Sequence, residues 1–234
     1  MCNYIAKSLE SVNVQLYPDL EHIVVDGGST DGTLEVVKTF SAGTNRIRWI
    51  SEPDRGIANA LNKGVELASG EIIGCLHADD YYSDETVLSQ VAELFTNPEV
   101  VWVTGGISEV DSQGHDIRVL RARRFSGRRL LRNNIIFHPA TFVRQADIRK
   151  VGGFDETLRY AMDYDLWLKL STIAAPVLLN KQLACFRVHS GSISSTNRVE
   201  ALCEEYLVRK RWLNGPLASC FHGLYQKYRL ITNK

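Results

Sequence analysis

Hydrophobic and polar positions alternate between two periods along the first hundred residues. Residues 4–15 set Tyr4, Ile5, Leu9 and Val12 on one face, the spacing of an amphipathic helix. Glu21-His22-Ile23-Val24-Val25-Asp26 is a short buried strand that stops at Gly27-Gly28. Thr30 or Asp31 then caps a helix carrying Leu34, Val37 and Phe40. A second strand covers 47–51, and a helix over 56–68 closes at Gly70. A third strand over 71–76 halts at His77-Ala78-Asp79-Asp80. Ser83 opens a helix that ends before Pro98, and 100–104 form a fourth strand.

Strands separated by helices of this length predict parallel pairing through right-handed crossovers. The expected class is α/β, with a doubly wound, mostly parallel sheet flanked by helices. Ligands of such sheets sit beyond the carboxyl ends of the strands, so Asp26 and Asp79-Asp80 are expected to line one crevice. After residue 105 the pattern loosens. Arginines crowd between Arg118 and Arg132, a Val151-Gly152-Gly153-Phe154-Asp155 turn follows, and a helix runs through Asp165-Leu166-Trp167-Leu168. The stretch 197–212 is helical and basic towards its end, and the last twenty residues are aromatic and basic.

Charge changes this picture by exclusion. Lys plus Arg and Asp plus Glu both number 27, so no global field favours nucleic acid or anionic lipid, and any polyanion site is local. The five cysteines have no CxxC or Cys/His zinc spacing, which fits reduced thiols. With no basic-then-apolar opening and no apolar run near the roughly 20 residues that span a bilayer, the expected location is cytoplasmic, with peripheral attachment to the inner membrane face as a second possibility.

The chemistry-bearing residues follow the strand ends. Two readings stand for Asp79-Asp80: a cap for the next helix, or carboxylates brought together by a hard cation such as Mn2+ or Mg2+ that is shared with substrate phosphates. In Asp26-Gly27-Gly28-Ser29, the glycines permit close backbone approach while Asp26 accepts from a nucleobase or ribose. Arg55 enters a helix pointing at the same crevice, either as solvated surface or as a charge-assisted donor to a diphosphate. His138 precedes a proline and an extended segment, which suits packing better than catalysis. His189 opens a Ser/Gly-rich loop, residues 190–195, suited to a lid. The arginine run is a solvated face or a seat for a lipid-linked acceptor.

Taken in order, these motifs resemble the family-two glycosyltransferases of the GT-A fold. The resemblance rests on the 21–33 run, Ser51-Glu52-Pro53-Asp54-Arg55-Gly56, Asn62-Lys63-Gly64, Leu76-His77-Ala78-Asp79-Asp80, His138-Pro139-Ala140-Thr141-Phe142, the 151–155 turn, Asp163-Tyr164-Asp165-Leu166-Trp167-Leu168 and Phe186-Arg187-Val188-His189. It implies inverting transfer of a sugar from a nucleotide-diphosphate sugar to an acceptor hydroxyl on a glycan or lipid-linked acceptor, in polysaccharide or other surface glycan synthesis. It further implies donor binding by Asp26, Gly28, Arg55 and Asp79, metal binding by Asp79, Asp80 and His189, and Asp163 as catalytic base. Asp165 is then left to support the first turn of its helix. The implied organisation is a GT-A domain over 1–195, with a nucleotide-binding half to about 105 and an acceptor half beyond it, and a C-terminal helical basic tail over 196–234.

The sequence departs from the family at its start. The strand that usually precedes the 4–15 helix is lacking, which predicts a compromised sheet and poor stability. Gly27 and His77 also stand where many relatives carry acids. The competing readings are an inactive donor-binding scaffold and a nucleotidyltransferase; the absence of a Gly-rich phosphate loop counts against the latter.

Overall fold

The computed structural model describes residues 1–192, 196–213 and 216–232. Helix α1 (Cys2–Asn13) buries Ile5, Leu9 and Val12 along the face expected of it. Strand β1 (His22–Asp26) pairs in parallel with β2 (Ile47–Ser51), with α2 (Thr33–Ala42) crossing between them. The N-cap of α2 is Gly32 and not Thr30 or Asp31, although Asp31 accepts the Thr33 N–H at 3.1 Å from just before it. Helix α3 (Ile57–Leu67) stops at Ala68, which turns extended. The Glu21 carboxylate ties the following turn by accepting the Ser69 and Gly70 N–H groups.

The remaining strands form a second, six-stranded sheet. Its path runs β3 (Ile72–Gly74), β7 (Thr141–Arg144), β5 (Trp102–Val110), β8 (Val177–Arg187), β4 (Tyr81–Tyr82), and β6 (Asp116–Leu120) pairs with the far end of β5. Only β5 and β8 are parallel within it; the other pairs are antiparallel. The α/β class therefore stands, but the main sheet is mixed rather than mostly parallel. The strand–helix alternation holds as far as α4 (Val87–Phe95). Beyond it β6 returns as a hairpin, and β7 enters from the 3-10 turn His138–Ala140 instead of from a crossover helix.

Two local departures have clear causes. Residues 81–83 do not start a helix because they are bound to β8, with the Ser83 N–H donating to Leu183 O at 3.1 Å. Asp84 forms the turn before α4 by accepting the Thr86 N–H at 2.9 Å, and the helix starts only after Thr86. Strand β5 also outruns its predicted end. Its Gly105 allows close approach of β8, since a Cβ there would lie 2.5 Å from the Leu183 side chain.

The densest core gathers α7 (Met162–Leu170), β5 and α6 (Gln145–Lys150), with Trp102 and Trp167 stacked 5.7 Å apart. Against α7 packs the helix α8 (Arg198–Arg211), and α9 (Pro216–Thr232) packs on α8, below the short α5 (Gly127–Leu130). Among the described residues β1 and β2 are not hydrogen-bonded to the main sheet. A cleft of about 790 Å3 lies between β1 and β3.

Candidate active site

The Asp79-Asp80 turn follows β3 and leads into β4, which locks it against the end of β8. Asp80 is 1% exposed, and its Oδ1 accepts the Arg187 N–H at 3.0 Å. Neither Asp79 nor Asp80 caps α4, which begins after Thr86 with no side-chain cap. Asp80 Oδ2 is buried without a hydrogen-bond partner. Burial, and then the Asp79 charge, push the Asp80 carboxyl well above the usual carboxylate range, against the opposing pull of Arg187.

Asp79 faces the other way. Its Oδ2 lies 3.1 Å from His189 Nε2, although the two residues are 110 positions apart in sequence. The His189 Nδ1 accepts the Gly191 N–H at 3.1 Å, so in the neutral ring Nε2 carries the proton and donates it to Asp79. Tyr4 of α1 packs on the His189 ring at 4.8 Å. Beneath them Arg187, 5% exposed, ties the turn together. Its Nε donates to Asp79 O, its Nη1 to the carbonyls of Asp111 and Ser112, and its guanidinium lies over Tyr4 and Tyr81. Residues 193–195 of the loop after His189 lie outside the described residues.

On β1, register places Ser51 opposite Asp26, and the Ser51 hydroxyl donates to Asp26 Oδ2 at 2.6 Å. The same oxygen accepts the Gly28 and Ser29 N–H groups. Burial raises the Asp26 carboxyl, but these bonds outweigh it and hold the group below its ordinary value. Gly28 has φ +86°, and a Cβ on Gly27 would meet Asp54 Oδ2 at 2.4 Å, so both glycines are needed for this turn. No hydrogen bond joins Asp26 to Asp79 among the described residues. The link between the two turns runs through α1, whose Met1 amine binds Asp31 and whose Tyr4 meets His189.

Arg55 does not reach these acids. It pairs at 2.6 Å with Glu156 of the turn after Phe154, and Asn59 and Asn62 also donate to Glu156. The Arg55 guanidinium, followed by the two amides, holds the Glu156 carboxyl down at about 2. Glu156, which sequence reasoning missed, directly follows the recognised 151–155 turn.

Asp163 opens α7 beside Asp165, and the two have different partners. Asp165 is 2% exposed and pairs with Lys169 at 2.7 Å. Asp163 accepts the Tyr164 N–H at 2.6 Å and the Asn134 amide at 3.1 Å, and it has no cationic partner among the described residues. Burial pushes its carboxyl up to about 6, assisted by the Glu205 charge and opposed by those two bonds. A carboxyl in that range suits a general base at neutral pH. His138 is a packed histidine: it stacks on His77 at 4.9 Å, and burial brings it down to about 3.

Asp79 offers an oxygen, His189 would offer Nε2 once that nitrogen gives up its proton, and Asp80 adds an unpartnered oxygen deeper in. No group of three or more such side chains is arranged to hold a metal among the described residues. That donor set fits a Mn2+ or Mg2+ ion that completes its shell with substrate phosphates, and does not fit an all-protein cage. No described helix is long and apolar enough to cross a membrane.

Comparison with known proteins agrees with this architecture. Residues 2–148 match the family described as Glycosyl transferase family 2. The chain is 32% identical over 240 residues to a chondroitin synthase of Pasteurella multocida (strain Pm70), across 99% of its own length but only 25% of that protein's. It is 31% identical over 182 residues to an uncharacterized glycosyltransferase of Mycobacterium tuberculosis, covering 77% of this chain and 68% of the relative. In fold it is similar to a mannosyltransferase of Pyrobaculum calidifontis solved with GDP-Man and Mn2+. That likeness has a TM-score of 0.74 at 20% identity, over 99% of this chain and 69% of the other.

Proposed function

The chain belongs to glycosyl transferase family 2, and from that membership we propose that it is an inverting glycosyltransferase. It moves a sugar from a nucleotide-diphosphate sugar to an acceptor hydroxyl, in the synthesis of a polysaccharide or related surface glycan. The observation that carries the reading is the convergence of Asp79 and His189, 3.1 Å apart at the end of a strand, in a chain that also holds a carboxyl at about 6 in Asp163.

In this reading Asp26 Oδ1 and the Gly28 turn receive the nucleoside. Asp79, His189 and the free oxygen of Asp80 form the metal end. A bound Mn2+ or Mg2+ would supply charge for the leaving diphosphate. Asp163 takes the proton of the acceptor hydroxyl as its oxygen bonds to the anomeric carbon. The bond from that carbon to the diphosphate breaks on the opposite face, which inverts the centre. Asn134 and the Tyr164 N–H keep the carboxyl aimed while it receives the proton.

The organisation follows: a GT-A unit over 1–195, with nucleotide and acceptor halves meeting near 105, and a basic helical tail over 196–234. Arg121, Arg123, Arg124, Arg128, Arg129 and Arg132 are exposed and form no ion pair among the described residues. They flank Asn134, so a lipid-linked or glycan acceptor would approach Asp163 across them. The same face would give peripheral contact with anionic lipid.

The test is a panel of nucleotide-diphosphate sugars with Mn2+, Mg2+ or chelator, scored for cation-dependent nucleoside diphosphate release. Release with one donor class supports the reading. Donor binding without release at any acceptor would mean an inactive scaffold, and pyrophosphate release from a nucleoside triphosphate would mean a nucleotidyltransferase.

A further inference from the structure

The two C-terminal helices grip the chain on either side of Asp163. On one side is the strap 159–161 that leads into α7. Glu204 of α8 accepts the Arg159 N–H at 2.9 Å, the Tyr160 N–H at 2.5 Å and the Ala161 N–H at 2.7 Å. Three successive peptide N–H groups turned to one carboxylate form a nest, and the start of a helix favours the negative charge. Asp163 stands two residues beyond the last of them. On the other side is the 132–134 turn. Arg209 Nη1 donates to Arg132 O at 2.5 Å, and the Tyr225 hydroxyl donates to Asn133 Oδ1 at 3.1 Å. The next residue, Asn134, donates its amide to Asp163 Oδ2.

Packing alone does not ask for this arrangement. Leu202 and Val208 already bury the apolar side of α8. Arg209 is 0% exposed with its Nε buried and unpartnered, and burying a guanidinium is costly. It holds the Arg132 carbonyl and Gln226, whose amide donates to Leu202 O at 2.6 Å and so ties α9 to α8. The charges around Asp163 come from the same helices. Glu205 of α8 is the carboxylate that bears on it, paired with Arg229 of α9 at 2.8 Å, and Arg209 lies beside Glu205 and Tyr164. Arg211 reaches Asp155 at 2.8 Å and Asp165 at 3.6 Å, and Lys169 also pairs with Asp165.

We propose that Glu204 and Tyr225 are positioning residues for Asp163. Glu204 fixes the backbone entry of α7 and Tyr225 fixes the Asn133-Asn134 turn, so the carboxyl is held from both sides in one orientation. Neither side chain hydrogen-bonds to the carboxyl among the described residues; it takes the Asn134 amide and the Tyr164 N–H, and each helix acts through what it holds. The inference rests on Asp163 being the base of the proposed transfer.

The deciding measurement needs no substrate: the carboxyl NMR titration of Asp163 in the full chain, its signal identified by loss in Asp163→Asn. Tyr225→Phe removes one hydroxyl and keeps the ring. With the turn loosened the Asn134 amide donates less, and the Asp163 midpoint should rise by about half a pH unit. Glu204→Ala frees the strap and admits water, so the midpoint should fall by about half a pH unit relative to Glu204→Gln, which loses the same charge but keeps an acceptor oxygen. In nucleoside diphosphate release from UDP-GlcNAc or GDP-Man with Mn2+, Glu204→Ala should lower kcat about 10–100-fold and Glu204→Gln less than about threefold, with donor KM within about twofold of the parent. Should Glu204→Ala not fold, Tyr225→Phe decides alone. An unmoved Asp163 titration would overturn the proposal, and a fall in Tm without that movement would mean that the helices only brace the fold. A moved titration in a chain that releases no nucleoside diphosphate would uphold the grip on Asp163 and count against the enzymatic reading instead.

Discussion

Around α7 the chain closes on itself completely, whereas around β1 it does not. Trp102, Trp167, Leu166, Leu168 and Leu170 are each 2% exposed or less, and the Trp102 indole donates to Ala174 O at 2.9 Å. On the nucleotide side, residues 22–25 of β1 remain only partly buried and one edge of the strand is open. The difference separates two requirements of a transferase of this class. On the proposed reading a base gains from a fixed environment that raises its pKa, and Asp163, half-buried and held by Asn134 and the Tyr164 N–H, is raised to about 6. On the same reading a nucleotide turn needs only a local nest, and Asp26 has one in the Gly28 and Ser29 N–H groups and the Ser51 hydroxyl.

The largest test of that contrast is Asp163→Asn. It should lower kcat about 10²–10⁴-fold with little change in donor KM, because the carboxylate acts on the acceptor proton. In the parent enzyme, kcat/KM should fall about tenfold per pH unit below about 6, where the carboxyl becomes protonated. The sign for stability runs the other way. A carboxyl raised from 3.8 to about 6 on folding contributes stability that is complete below its unfolded value and lost as the pH rises through about 6. Asp163→Asn, neutral throughout, should therefore be no less stable than the parent at pH 8. A large drop in Tm there would mean that Asp163 is a structural cap and not a base held against its preference.

Next in size is the packing contrast itself. Trp167→Ala should cost about 3–5 kcal/mol in urea denaturation, as expected for emptying a filled core. Ile23→Ala, beside a cleft that is already open, should cost only about 1 kcal/mol. Equal costs would show that β1 is packed as tightly in solution as α7, and the contrast would collapse.

Much of this was legible from the residues alone. The helices and strands up to β3, α1 through α3 included, follow from periodicity. Pairing direction after residue 100 did not, because β7 and β6 carry no crossover helix to announce their sense. Nor did the Asp84 turn before α4 or the Arg187 clamp. Both depend on β4 meeting β8, a contact across a hundred residues for which Tyr81-Tyr82 gives no periodic signal. Glu156 was missed for a similar reason: its partners Asn59 and Asn62 become neighbours only when α3 packs beside the 151–157 turn.

The smallest effect concerns that same contact, which ties the two regions directly. Arg55 belongs to the nucleotide side and Glu156 to the acceptor side, and their pair is largely solvent-facing, with the Arg55 side chain 77% exposed. An exposed pair contributes little to stability, so Glu156→Gln should leave the unfolding midpoint nearly unchanged. The substituted amide would still accept from Asn59 but no longer hold the guanidinium by charge. If Arg55 serves the donor diphosphate, its release should lower donor KM about two- to fivefold at constant kcat, and the effect should shrink at high salt. An unchanged donor KM would assign Arg55 to the tie alone and leave the diphosphate to the Asp79 and His189 end of the site.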